Sequence, residues 1–197
     1  MVAMGATFPK SSRLQAAAVI CAGVASGFLT PQILNFVDSL NYPRRFSGVA
    51  LAVGGVPFAL LIVAIARIAS GTDWWRAIAL GVATLVAMSV AITLSADTNV
   101  ALRDWAEPGR DLIAGPIGGV IGSGLMTLAA LALRIGPRHA AGWMPLLLVG
   151  TGLGTLLAVD AWLNSENVWV IFPVWQACVA IVFLRTLQNS HATDDAS

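Results

Sequence analysis

The chain has 197 residues, 57% of them hydrophobic and 11% charged, and a mean hydropathy of +0.81. Soluble domains carry about 25% charged residues; a chain this poor in charge cannot cover a water-facing surface, which excludes a soluble globular fold. A net charge of +1 leaves no electrostatic footprint for nucleic acid.

The chain opens with Lys10 and Arg13 ahead of an Ala/Val run, in the manner of a secretory signal. The apolar stretch continues past any plausible cleavage site to Val37, so it reads as a retained first span. A spanning helix needs about 20 mainly apolar residues. Six runs meet this: Leu14–Val37, Phe46–Ala69, Trp74–Ser95, Leu112–Leu133, Trp143–Leu163 and Val168–Leu187. The expected fold is therefore all-α, a polytopic integral membrane bundle of six transmembrane helices. It has a cytoplasmic segment at 1–13, one membrane domain over 14–187 with an outer loop at 96–111, and a polar tail at 188–197.

Orientation follows the placement of Lys and Arg. With the N-terminus inside, Lys10, Arg13, Arg67, Arg76, Arg134, Arg138 and Arg185 fall on the inner side, and Arg44, Arg45, Arg103 and Arg110 on the outer. This bias favours an N-in, C-in topology in a plasma membrane, with the bacterial inner membrane as the expected location. Trp74 and Trp143 begin spans at the inner interface, and Trp105, Trp162 and Trp169 lie at the outer one. The Ser26–Thr30 stretch SGFLT recurs as SGLMT at Ser123–Thr127, 97 residues on, and the same offset pairs Gly55 with Gly152. That spacing fits inverted halves of three spans each, although Gly, Ala and Leu are frequent enough here to produce such matches by chance.

In span one, Gly23 and Gly27 form a GxxxG pair, and Gln32 and Asn35 share a face near the outer end. Gly115/Gly119, Gly118/Gly122 and Gly150/Gly154 repeat the small-residue spacing in spans four and five. Such faces let helix backbones approach closely, placing spans one, four and five at the tight centre of the bundle; a homo-oligomer interface is the alternative use. Pro31, Pro57, Pro116, Pro145 and Pro173 all fall within spans and are expected to kink them.

The outer loop ADTNVALRDWAEPGRD is dense in charge. Arg103 and Glu107 have i, i+4 spacing and, with Trp105, suit a short interfacial helix ended by Glu107-Pro108-Gly109. It is either a solvated loop with ordinary surface pairs or a lid over an outer cavity, with Arg103 or Arg110 recognising an anion. Asp160 lies about one turn from the outer end of span five, where an acid faces protein or water rather than lipid. In span six, Trp169, Pro173 and Gln176 fall on one stripe that descends about 12 Å from Val168, with Trp162 and Glu166 above it. Val168, Phe172, Trp175 and Val179 form the adjacent apolar face. Gln176 needs an internal partner at that depth, either another helix or a ligand.

The spans contain no His and no Lys, so no haem, intramembrane metal or Schiff-base cofactor is expected, and no cofactor of any kind is inferred. Cys21 and Cys178 sit in apolar runs and read as buried free thiols. The residues expected to meet a ligand are Gln32, Asn35, Asp160, Trp162, Trp169, Trp175, Gln176, Arg103 and Trp105. Their mostly uncharged character points to a neutral, amphipathic or aromatic solute bound in an outward-facing cavity by a transport or substrate-binding membrane protein. Two other classes stay open: an accessory or scaffold subunit of a larger membrane complex, and a membrane enzyme using outer acids on a lipid-type substrate. The expected partners are the bilayer, a small-molecule ligand, and either a second copy or a membrane partner subunit.

Overall fold

The computed structural model describes residues 10–39, 47–163 and 170–194. Among them there are helices and turns and no strand. The helices are α1 (Lys10–Ser39), α2 (Ser47–Gly54), α3 (Val56–Ser70), α4 (Trp74–Ala101), α5 (Glu107–Ala132), α6 (Met144–Gly154), α7 (Leu156–Trp162) and α8 (Ile171–Asp194), with a 3-10 turn at Ala140–Trp143 ahead of α6. Five segments are long and apolar enough to cross a membrane: Arg13–Val37, Trp74–Ala101, Gly109–Ala132, Ala140–Trp162 and Ile171–Ser190. This makes the chain an all-helical integral membrane protein. The second expected span is not among these five. It is divided at Gly55 into α2, of 8 residues, and α3, of 15.

Three of the five prolines start helices instead of bending them. Pro57 and Pro145 sit in the first turns of α3 and α6, and Pro173 is the third residue of α8. The first four N–H groups of a helix have no intrahelical partner, so a proline there removes nothing. Pro31 and Pro116 do lie inside helices. The 96–111 segment is mostly helix rather than loop: α4 runs on to Ala101, and α5 begins at Glu107 with Pro108 in its first turn. The proline expected to end a short helix therefore begins a long one. The tail expected from residue 188 is likewise helical as far as Asp194, and Gln188 Nε2 donates to Gln15 Oε1 at 3.1 Å, joining α8 to α1.

We call the end carrying the α4–α5 turn (102–106) upper and the end carrying the α5–α6 connection (133–143) lower. The helices form a closed ring. α1 packs on α2, α3 and α8, α4 packs on α2, α3 and α5, and α6 packs on α5 and α8. Glycines set the two closest crossings. A Cβ at Gly23 would lie 2.5 Å from Ala177 Cα, and one at Gly27 would overlap the Pro173 backbone, so α1 meets α8 backbone to backbone. Gly115 faces Gly154 and Gly119 faces Gly150 in the same way across α5 and α6. The glycine faces are thus used within the chain, but in two separate pairs. Span one meets span six, and not spans four and five as expected.

The lower half of the ring is filled. Phe58, Ile62, Ile65, Leu80, Met126, Trp143, Leu146, Phe183, Leu184 and Leu187 are buried in one apolar cluster. Trp143, expected at the interface, is fully buried; its indole stacks on Phe183 at 5.8 Å and donates to the Pro137 carbonyl at 3.1 Å. Trp74 and Trp75 hold the interfacial position instead, each 61% exposed and each under an arginine, Arg67 and Arg76, at 5.3 Å. Cys21 is exposed on α1 and Cys178 half-buried, both as free thiols. Position 21 falls on the outward face of α1 with Phe28, Leu29 and Phe36.

Candidate functional site

Gln176 has a helix for a partner at both ends of its amide. Its Oε1 accepts from Ser26 Oγ at 2.6 Å, and its Nε2 donates to Thr30 Oγ1 at 2.9 Å. Thr30 in turn donates to the Ser26 carbonyl at 3.1 Å. All three side chains are buried, Gln176 and Thr30 completely. Gly23 and Gly27 admit α8 closely enough for these bonds to form, so the polar stripe of α8 faces α1. The stripe's upper member, Trp169, lies outside the described residues, as does Glu166.

Asp160 is 1% exposed. Its carboxylate accepts from the backbone N–H of Val170 at 2.9 Å and of Ile171 at 2.7 Å. These donors belong to the start of α8, where the helix dipole also favours a negative charge. Asp160 thereby ties the top of α7 to the top of α8.

The hollow of the bundle lies elsewhere, in its upper half. A cavity of about 530 Å³ sits among α1, α4, α5, the α6–α7 junction and α8. Met88, Ala91, Ile92, Ser95, Ala96 and Asn99 supply its α4 wall at steps of one, three and four residues, one helical face. Gly115, Gly118 and Gly119 form the facing wall. Phe172 and Trp175 close the α8 side. Trp175 is held from two directions: its indole N–H donates to the Gly150 carbonyl at 3.1 Å, and its ring meets Phe58 at 5.7 Å. Beneath Trp175 begins the packed lower half.

Two polar side chains interrupt this apolar lining. Ser95 turns its hydroxyl side toward Gly118. Asn99 Nδ2 donates to Asp111 Oδ1, and Asp111 is 5% exposed in the opening turns of α5. The α5 dipole supports that carboxylate, which orients the Asn99 amide at the top of the cavity. Ser95 and Asn99, which line the cavity, and Asp111, which holds Asn99, were not among the residues expected at the site. The signal for the first two was the four-residue spacing of Ala91, Ser95 and Asn99 along one face of α4.

Among the remaining expected residues, Trp175 lines the cavity and Gln176 does not. Gln32 and Asn35 are exposed on α1. Trp162 is 75% exposed at the end of α7, and Trp105 is 57% exposed beside exposed Arg103 in the α4–α5 turn. Both indoles have the placement of interfacial anchors. Among the described residues, no three His, Cys, Asp or Glu side chains lie close enough to hold a metal ion together. No family model matches the chain, and neither a curated protein nor a solved structure is detectably similar to it.

Proposed function

We propose that this is a small-solute membrane protein, a carrier or the substrate-binding subunit of one, that takes a neutral amphipathic or aromatic molecule into the upper cavity. The observation that carries this reading is the contrast between the two halves of the ring. One half is filled with Phe, Trp, Leu and Ile, and the other encloses about 530 Å³ lined by small and apolar groups. Ligand sites fall in roughly this size range, mostly apolar with a few fixed polar groups. Here Ser95 and Asn99 supply the polar contacts and Trp175 an aromatic face. Among the described residues no positive charge lines the cavity, which favours an uncharged solute over an anion.

In this reading the ring is a six-span bundle, with α2 and α3 jointly making the second span. The Lys and Arg bias places the lower end in the cytoplasm, so the cavity faces outward. The breaks at Gly55 and near Thr155 fall in the second member of each set of three spans, which supports 3+3 halves. The side-chain chemistry is not duplicated, however, since Ser26 bonds across to Gln176 while Ser123 bonds back to the Gly119 carbonyl in its own helix.

The test is native mass spectrometry of the full-length protein released from the membranes that produced it. A single retained small molecule, lost from Ser95→Trp and kept by a lipid-facing Leu60→Trp control, is the expected result. A solute-free protein, or one carried equally by Ser95→Trp, contradicts the proposal. A stoichiometric partner chain in the same spectrum would favour the accessory-subunit reading.

A further inference from the structure

A second hollow, of about 480 Å³, opens at the lower end between the α5–α6 connection and the last turns of α8. It is separate from the solute cavity and has the opposite chemistry. On α8, Arg185 and Asn189 lie four apart, as do Thr186 and Ser190, so they form one stripe below Val182. Arg138 and His139 face them from the connection. Two guanidiniums and an imidazole thus share a recess with hydroxyl and amide groups, and among the described residues no carboxylate lines it.

The recess is held in shape by buried contacts. Trp143, fully buried, donates to the Pro137 carbonyl, which fixes the chain next to Arg138. Gly136 adopts φ 78°, a left-handed conformation suited to glycine, and sits against Trp143 and Leu187 with no room for a Cβ. The connection is therefore pinned to α8 by packing independent of any ligand. Pro145 and Val182 make the apolar side of the recess, and Leu148, 65% exposed, continues outward along α6.

We infer that this recess binds a phosphate-type anion through Arg138 and Arg185. Guanidinium pairs match phosphate oxygens geometrically, and basic pockets between spans at the membrane surface suit anionic headgroups. The same chemistry would accept a phospholipid headgroup, with its chain along Pro145, Val182 and Leu148, or free phosphate from solution.

The test uses the purified full-length protein in a neutral detergent. Native mass spectrometry measures binding of phosphatidylglycerol and phosphatidylcholine, and calorimetry measures inorganic phosphate. Tighter binding of phosphatidylglycerol than of phosphatidylcholine supports the lipid source; phosphate binding without that lipid preference supports the free anion. Each basic group near an anionic headgroup contributes roughly fivefold in affinity, so Arg138→Gln with Arg185→Gln should weaken binding about 25-fold. Arg13→Gln, at the same end but outside the recess, should leave it within about twofold, well below the effect of removing one recess charge. The Lys double variant, Arg138→Lys with Arg185→Lys, keeps the charge but loses the planar fork and should fall between wild type and the Gln double variant. Equal wild-type affinity for the two lipids together with no phosphate binding overturns the inference without any variant. Unchanged binding in the folded Gln double variant overturns it as well.

Discussion

Gln176→Leu separates a helix-joining role from a ligand-contacting one. Leucine nearly matches glutamine in length, so the substitution leaves little void and removes mainly the two bonds to α1, at 2.6 and 2.9 Å. Hydrogen bonds between membrane helices average about 0.6 kcal/mol and reach about 1.7. Two of them, with all three side chains buried, set a range of about 1–3 kcal/mol. The lower part of the range is expected, because Thr30 keeps its bond to the Ser26 carbonyl and Ser26 can turn its hydroxyl to a carbonyl one turn back in its own helix. Reversible unfolding in mixed detergent, followed by tryptophan fluorescence, measures the loss. A cycle with Ser26→Ala should return a coupling of about 0.6 kcal/mol or more. Solute retention should be unchanged, since Gln176 does not line the cavity. Full stability with zero coupling would refute the helix-joining argument, and full stability with lost solute retention would return Gln176 to the ligand.

Asp160→Ala leaves two backbone donors of α8 without their carboxylate and should cost about 2 kcal/mol or more, with Asp160→Asn intermediate; the same unfolding assay ranks them. Gly119→Ala forces apart α5 and α6, whereas Gly152, with nothing within 4 Å of a built Cβ, should accept alanine; monodispersity after extraction should be lost for the first and kept for the second. Gly71→Ala, at φ 60° with open space around it, should cost about 1 kcal/mol through backbone strain alone, read as a shift in the unfolding midpoint.

The membrane class was legible because composition and run length are strong constraints in a bilayer. The glycine faces were legible as close-packing surfaces, but their partners were not. GxxxG in α1 reports that some backbone approaches, and only the fold shows that it is α8. The candidate site inverted the expected use of the two α8 faces. Periodicity correctly separated the Pro173–Gln176 stripe from the Phe172–Trp175 face. The polar stripe does not line the upper cavity, because buried amides and carboxylates in membrane helices must first be paired, and Ser26, Thr30 and the α8 N–H groups pair them. The apolar face was left to border the cavity. Proline misled for a related reason. Its effect depends on whether it falls in the first turn of a helix, and helix starts such as Val56 and Ile171 are set by long-range contacts, among them the Asp160 bonds to Val170 and Ile171.

On the proposed function, the upper hollow is an aqueous-accessible cavity and not a groove filled by lipid. Ala91 lines it well below the α4–α5 turn. In protein carrying Cys21→Ala and Cys178→Ala, an Ala91→Cys substitution provides one thiol for labelling. Right-side-out and inside-out vesicles, treated with a small membrane-impermeant thiol reagent, decide the matter. A solute cavity predicts labelling from the extracytoplasmic face only, and blockage when Ser95→Trp is added. Labelling by lipid-soluble reagents alone, or from the cytoplasmic face, would contradict it.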